Sequence, residues 1–489
     1  MKKLIKINER DNVAVAVRDI KKGEIHDGVA AREDIAAGHK LALREIGSGE
    51  AVVKYGFPIG TARKKISAGE LVHTHNLKTA LTETDEYECV PHVHRQAAAE
   101  APVFMGYRRD DGSVGIRNEI WILPLVGCVN KTAETLARLA NERFGHLCGG
   151  VFAYTHPYGC SQLGDDHENT RKIIAGLARH PNASGVLLLG LGCENNSLES
   201  FLPVLGEYDK RRIRTLVTQD CGDELSEGLS ILEDLAKVAA AQIRVEIPAP
   251  ELVIGFKCGG SDAFSGITAN PLCGLLTDRF TAFGGRVLLT ETPEMFGAER
   301  LLMARAESRE IFDGIVKMIG DFKRYFTAHG QAVYENPSPG NRAGGITTLE
   351  EKSLGCVQKG GSATVTAVLG RGEACVRPGL NLLSGPGNDI VSCTELTAAG
   401  AHMILFTTGR GTPLGAPVPT IKIASNSALA AHKPNWIDYD AGEILSGKSF
   451  DTCAAELESL VLLTANGTRT RSERNGYREI AIFKDGVTL

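Results

Sequence analysis

One design recurs along this chain: an apolar strand that runs out into a small, polar turn carrying a cysteine. It reads Ile120-Trp-Ile-Leu-Pro-Leu-Val-Gly-Cys128, then Val151-Phe-Ala-Tyr-Thr-His-Pro-Tyr-Gly-Cys160, then Val186-Leu-Leu-Leu-Gly-Leu-Gly-Cys193-Glu194, then Leu252-Val-Ile-Gly-Phe-Lys-Cys258-Gly-Gly-Ser-Asp262. Each is a short apolar run bounded by glycine, the pattern of a strand buried on both faces. Each cysteine sits where its strand should end. In open α/β sheets, ligands bind beyond the carboxyl ends of the strands. Cys128, Cys160, Cys193 and Cys258 are therefore expected to converge on one crevice as candidate metal ligands.

The segments between these strands support parallel sheets. Residues 130–144, 169–179 and 226–241 have helical patterns, and Arg212-Ile-Arg-Thr-Leu-Val is a further strand. Alternating strands and helices are βαβ logic. The proline-bearing stretch Val245 to Pro250 is read as a separator before a second α/β unit. That unit has a strand ending at Cys258, a helix near 271–283 and a strand Arg286-Val-Leu-Leu-Thr-Glu291. Residues 299–328 follow as a long helix or helix pair, and the tail is read as a helix, a polar stretch and a last strand Glu479-Ile-Ala-Ile-Phe.

The first 80 residues differ. Asp19-Ile-Lys-Lys-Gly-Glu, Asp34-Ile-Ala-Ala-Gly-His-Lys40, Glu45-Ile-Gly-Ser-Gly-Glu50 and Lys65-Ile-Ser-Ala-Gly-Glu70 each pair an apolar anchor with a glycine turn. The segment resembles the SAF domain, a small β-clip-like fold. The expected organisation is multidomain: a SAF-like β domain over 1–80, a linker over 81–103, a first α/β domain over 104–247, and a second over 248–489 with a C-terminal extension. The linker carries His92 and His94, whose spacing suits a metal but also suits a solvated linker.

Charge and hydropathy narrow the function. The net charge of -5 favours no nucleic acid. No apolar run approaches the roughly 18 residues of a membrane span. The charged N-terminal residues lack the apolar core of a signal peptide, so a cytoplasmic location is expected. Twelve cysteines in such a setting are expected to be thiols or metal ligands, not disulfides. Gly-Leu-Gly-Cys193 and Cys258-Gly-Gly-Ser follow strands, but neither completes the dinucleotide fingerprint, so NAD is not expected. The loops Asn336-Pro-Ser-Pro-Gly-Asn341, Asn381-Leu-Leu-Ser-Gly-Pro-Gly-Asn388 and Phe406-Thr-Thr-Gly-Arg-Gly-Thr-Pro413 carry hydroxyls, amides and small residues suited to a polyhydroxylated or anionic ligand.

Taken together, these phrases resemble the altronate/galactarate dehydratase family from end to end. The resemblance is carried by His39-Lys40, Tyr55-Gly56, His73-Thr-His75-Asn76, Tyr107 through Asn118, Tyr158-Gly-Cys160, Gly-Leu-Gly-Cys193-Glu194, Cys258 through Gly266, Thr268-Ala-Asn-Pro271, the Asn341 loop and Phe406 through Pro413. Ser161-Gln-Leu-Gly-Asp-Asp166-His167 and Pro293-Glu-Met-Phe-Gly-Ala-Glu299 are similar to the altronate branch. The resemblance implies dehydration of D-altronate to 2-dehydro-3-deoxy-D-gluconate in hexuronate catabolism, with dependence on iron. It leaves open galactarate, a sulfo-lyase acting on a related hydroxy acid, and a non-catalytic sugar-acid-binding protein. Cys221 also ends a strand but is outside the family pattern and is set aside.

Such a reaction needs a base for the proton α to the carboxylate, an electrophile for the developing enediolate, and an acid for the departing β-hydroxyl. Two metal arrangements are compatible with the residues. Three of the four strand-end cysteines could hold an iron–sulfur cluster with one iron open. Alternatively, His73 and His75 could hold a mononuclear Fe(II) ion with carboxylates, Mn(II) being an alternative ion. In a strand, the His-x-His spacing would put both imidazoles on one face. His156, Tyr158 and Glu291 end strands and are acid or base candidates, and His73 and His75 are also catalytic candidates. Arg410, between glycines, could clamp a carboxylate; Lys40 and Arg117 are candidates of the same kind. Ser261 and Asp262 could contact substrate or cap the following helix. Cys148, Cys273, Cys375, Cys393 and Cys453 are read as structural. The expected partner is a small sugar acid, with homo-oligomerisation open.

Overall fold

The structure, a computed structural model, describes residues 3–81, 87–90 and 99–489. His92 and His94 lie outside the described residues. The N-terminal unit is a small β domain. One antiparallel sheet contains, in spatial order, Leu4–Ile5, Val13–Ala16, Lys40–Ala42 and Leu71–Val72; another contains Ala51–Lys54, Phe57–Ala62 and Leu77–Lys78. The repeated Ile-x-x-Gly phrases make its corners. Ile20 bridges Ile35, and Ile46 bridges Ile66. All four isoleucines are buried, while Gly23, Gly38, Gly49 and Gly69 turn the chain with φ between 81° and 87°. Only glycine takes that left-handed conformation readily.

Two parallel sheets follow, as expected. The first has the order Val151–Ala153, Glu119–Pro124, Ala183–Gly190, Ile213–Val217. The second has seven strands: Val365–Leu369, Gly379–Leu383, Arg286–Leu289, Val253–Cys258, Met403–Thr408, Thr420–Ala424 and Tyr439–Asp440. The strand ending at Cys258 is its centre, and all six of its residues are buried. Helices such as Asn130–Phe144, Gly164–Arg179, Glu224–Ala240, Ala269–Ala282 and Asp389–Ala398 connect the strands.

Two readings are corrected. Val245–Pro248 is not a bare separator: it pairs antiparallel with Val103–Arg108. A proline at its end is tolerated because this is an edge strand. The expected last strand at 479–483 joins no ladder among the described residues. Glu479 and Ala481 donate instead to the Gly415 carbonyl (2.9 Å) and the Thr394 hydroxyl (3.0 Å), and Ile482 is buried. Residues 299–328 form a helix pair, Glu299–Met303 and Arg309–Ala328.

The units share cores. One apolar cluster runs from Val13, Ile46 and Val72 of the β domain into Ile254, Phe256 and Leu405 of the large sheet. A second joins Trp121 and Leu188 to Leu396 and Phe406. Among the described residues, no helix is long and apolar enough to cross a membrane.

Candidate functional site

The strand Val253–Cys258 carries Lys257 and Cys258 into the interior, both fully or almost fully buried. A buried lysine needs an anion. Lys257 finds one in Glu291 and a second in Asp389, at 3.0 Å. It also donates to the carbonyls of Cys258 (3.0 Å) and Gly387 (3.2 Å). Glu291 ends the neighbouring strand in the left-handed region, at φ 72°, which aims its carboxylate back at Cys258. Its Oε2 accepts the Cys258 backbone N–H at 3.0 Å. A non-glycine residue held this way is a local strain that the surrounding contacts must stabilise.

The Cys258 sulfur is the hub. It stands 3.4 Å from Cys356 Sγ and 3.4 Å from Glu294 Oε2. Cys356 Sγ is 3.2 Å from the same carboxylate oxygen. Lys359 donates to the Cys258 sulfur at 2.8 Å and pairs with Glu291 at 3.3 Å. Lys352 pairs with Glu294 at 2.7 Å. Burial alone would lower Lys359; the Cys258 sulfur and Glu291 instead carry it well above its ordinary value. Burial likewise opposes ionisation of Glu294, but Lys352, Lys257 and Lys359 pull it down to about 2. The lysines thus hold negative charge on the Glu294 carboxylate, while the Cys258 contact and burial push the Cys356 thiol well above its ordinary value.

This donor set fits a metal ion. Among the described residues, Cys258, Glu294 and Cys356 are the ones whose ligand atoms converge within 4.8 Å. Two 2.3 Å bonds to thiolates at a tetrahedral centre would place the sulfurs about 3.8 Å apart, close to the observed 3.4 Å. Two thiolates and a carboxylate suit a borderline ion such as ferrous iron or zinc.

The N-terminal domain closes on the same region through one helix. Leu349–Cys356 is buried along its whole length although it carries Glu350, Glu351 and Lys352. Glu351 accepts from Lys40 (2.9 Å) and Lys54 (2.8 Å) of the β domain, and from the Thr347 backbone (2.8 Å). Burial outweighs the carboxylate at Lys40, which falls to about 8. Burial also opposes ionisation of Glu351, but the two lysines hold it well below the usual range.

The structure divides the expected four-sulfur crevice. Cys258 is buried in the seven-stranded sheet, while Cys128, Cys160 and Cys193 are exposed at the edge of the four-stranded sheet. The separation arises because the fourth strand belongs to a different sheet. Among the other candidates, Glu291 joins Cys258. Lys40 is committed to Glu351, and Arg117 is buried against Glu473 at 2.7 Å; both stitch domains together, which leaves neither free for a carboxylate. Asp262 accepts from Ser265, Ser425 and Asn426 (2.9, 2.7 and 3.0 Å). Ser261 has a buried hydroxyl without a hydrogen-bond partner among the described residues. Arg410 is exposed, with no ion-pair partner among the described residues.

The histidines are also placed differently. His73 and His75 occupy a turn after the strand Leu71–Val72, so the alternation of a strand does not apply to them. Asn76 makes that turn by accepting the His73 N–H at 2.9 Å. His73 reaches the Arg342 carbonyl at 3.1 Å, while His75 is exposed. His156 is buried with both ring nitrogens engaged: Nε2 lies 2.8 Å from the Pro124 carbonyl and Nδ1 accepts the Tyr158 N–H at 3.2 Å. Burial holds it neutral, with a pKa of about 4, so it has no free nitrogen for proton transfer. Tyr158 is half-buried beside it.

An open cavity of about 450 Å³ has Asp389, the partner of Lys257, in its wall; its size is within the range of small-molecule sites. Asn388, Asp389, Ile390, Thr412, Pro413 and Leu414 line it. These are the ends of two of the loops whose hydroxyls and amides suited a polyhydroxylated ligand. Gly259 lets the Cys258 turn press against this wall, since a Cβ there would lie 2.4 Å from Asp389 Oδ2.

Comparison with known proteins agrees with this architecture. Residues 2–80 match the altronate/galactarate dehydratase SAF domain, 106–240 the second domain of D-galactarate dehydratase/altronate hydrolase, and 249–488 the C-terminal domain of D-galactarate/altronate dehydratase. The chain is 50% identical to altronate dehydratase of Escherichia coli, covering 99% of both chains. The chain belongs to the altronate/galactarate dehydratase family. It is 49% identical to altronate dehydratase of Bacillus subtilis over 100% of both chains. Against galactarate dehydratase (L-threo-forming) of E. coli it is 32% identical, over 98% of this chain and 96% of that one.

In this family member, sequence reasoning missed Lys257, Glu294, Lys352, Cys356, Lys359 and Asp389. One signal was present: Lys257 is the lone charge in an otherwise apolar buried strand. Cys356 had none, because its helix has no apolar face to read.

Proposed function

We propose that this protein dehydrates D-altronate to 2-dehydro-3-deoxy-D-gluconate, in the cytoplasmic breakdown of hexuronates. The observation that carries the reading is the 50% identity to an altronate dehydratase along 99% of both chains. The buried Cys258, Glu294 and Cys356 group supports a metal-assisted reaction, with iron as the ion. When bound there, iron would supply Lewis acidity toward the carboxylate end of the substrate.

The chain's own residues supply the rest. Altronate occupies the cavity between the 388–390 and 412–414 loops. Arg410, exposed and without an ion-pair partner among the described residues, lies two residues before the Thr412 wall and takes the carboxylate. Asp389 lines the cavity, paired with Lys257 at 3.0 Å; it removes the α-proton. Lys422 donates to the Thr412 carbonyl at 3.2 Å on the same wall. Burial lowers Lys422 to about 8, near the optimum for an acid that protonates a departing hydroxyl at neutral pH. Loss of water gives the enol, which ketonises to the 2-keto-3-deoxy acid.

The test is an assay for keto-acid on protein purified anaerobically and loaded with ferrous iron. Altronate should be converted and galactarate should not. Absence of keto-acid from either, with metal bound, would reject the reading.

A further inference from the structure

The three exposed cysteines of the four-stranded sheet form a site of their own. They follow three neighbouring parallel strands, Val151–Ala153, Glu119–Pro124 and Ala183–Gly190. Adjacent strands lie about 4.8 Å apart, so three strand ends span roughly 10 Å. The turns beyond those strands are tied together. Gly127, next to Cys128, donates its backbone N–H to the Tyr158 carbonyl at 2.8 Å. The Gly159 carbonyl, next to Cys160, accepts from Asn196 N at 2.9 Å, and Ser161 N donates to Asn195 Oδ1 at 2.9 Å. Asn196 Nδ2 returns to the Leu125 carbonyl at 2.9 Å. The Cys160 turn thus sits between the Cys128 turn and the turn after Cys193.

The local backbone is built to present these sulfurs. Ser161 follows Cys160 with φ 61°, a conformation a serine adopts only when its surroundings impose it. Glu194 ties the Cys193 turn by accepting from Leu191 N (2.9 Å) and Gly192 N (2.6 Å). Cys128, Cys160 and Cys193 are all exposed, whereas six of the chain's other cysteines are buried. Cys221, after the fourth strand, turns away and donates to the Val217 carbonyl at 3.0 Å.

We propose that Cys128, Cys160 and Cys193 ligate an iron–sulfur cluster, separate from the buried Cys258–Glu294–Cys356 site. A single ion does not fit the three sulfurs as they stand. Thiolates on one ion lie about 3.8 Å apart, and the three edge sulfurs are not among the described groups that converge within 4.8 Å. A cluster gives each cysteine its own iron. Two ferrous and two ferric ions with four inorganic sulfides supply it with no change of oxidation state, and each thiol loses its proton on binding. Three protein sulfurs leave one iron of a four-iron cluster for an oxygen ligand such as water.

The test uses the full chain, reconstituted anaerobically with ferrous iron, ferric iron and sulfide. The expected result is a brown, oxygen-labile protein with acid-labile sulfide and about four irons beyond any held at the buried site. C128S, C160S and C193S should each lose most of the colour and sulfide, while C221S and C356S retain them. Alkylation of wild-type protein, read by peptide mass, should label the three edge cysteines before reconstitution and not after. This holds even if a serine variant fails to fold. A chromophore that survives in the edge variants, uptake of iron without sulfide, or unchanged alkylation would overturn the proposal. None of these readouts depends on altronate being the substrate.

Discussion

The Cys258 and Cys356 sulfurs stand 3.4 Å apart although 98 residues separate them in the chain. One comes from the central strand of the large sheet, the other from the end of a buried helix on which the N-terminal domain sits. Substituting C356S should weaken binding of one ferrous ion by at least ~10–100-fold and reduce turnover in parallel. C273S, a buried thiol in the apolar core, should leave metal binding unchanged. Anaerobic iron titration of the two variants checks this.

Glu351 bridges Lys40 and Lys54 in the interior. Removing it strands two buried ammonium groups, so E351A should cost about 3–5 kcal/mol, read by denaturant unfolding. The pH dependence follows from the depressed carboxyl. Its contribution is complete above the ordinary value of 4.5 and is lost as pH falls toward the much lower folded value. Wild-type stability should therefore drop in acid, and E351A should show less of that drop.

Glu395 behaves in the opposite sense. Among the described residues its carboxylate oxygens have no hydrogen-bond donor, and Arg371 at 3.5 Å is its ion-pair partner. Burial raises it to about 8, against the pull of Arg371. A raised carboxyl makes the folded state bind the extra proton, so stability falls as pH rises from 4.5 to about 8. E395Q should flatten that slope and stabilise the protein at pH 8 by about 2–4 kcal/mol. Melting temperature as a function of pH would show it.

Lys422 must be protonated to act as the acid, and its pKa is about 8. Turnover should fall above pH 8, and K422R should move that alkaline limb upward while lowering kcat. D389N should reduce kcat by ~100-fold or more with little change in bound iron. A pH–rate profile and metal analysis of both variants separate these effects.

His156 clamps the Pro124 and Tyr158 backbones. H156Q should lower the melting temperature and leave the pH profile of turnover unchanged, since the wild-type ring does not titrate near neutrality. Its own linkage runs from 6.5 down to about 4: stability is present above that window and is lost as pH falls through it.

Much of the framework was legible. Apolar runs bounded by glycine marked the parallel strands because a strand buried on both faces has no polar side to show. The Ile-x-x-Gly phrases marked the corners of the N-terminal domain because the turn they make admits little but glycine. Glu291 and Cys258 stood out as candidates because both lie at strand ends, and the structure brings the two together. His73 and His75 were misread because an Asn76 side-chain hydrogen bond, which alternation cannot register, made a turn of an apparent strand. The helix Leu349–Cys356 escaped because it is buried on every face and charged on several, so no period distinguishes inside from outside.

The sequence by itself determined the elements, the order of domains and the family, since these rest on local patterns and end-to-end similarity. The tertiary structure alone decided which sulfur meets which partner. Four cysteines at like strand ends look equivalent along the chain, yet their strands join different sheets. Sheet membership depends on pairing between distant segments, which places Cys258 among Glu294, Cys356 and Lys359 and leaves Cys128, Cys160 and Cys193 together at another edge. Lysine ammonium groups on separate elements then set the charge of the buried cluster. That electrostatic field exists only once strand, helix and N-terminal domain are packed together.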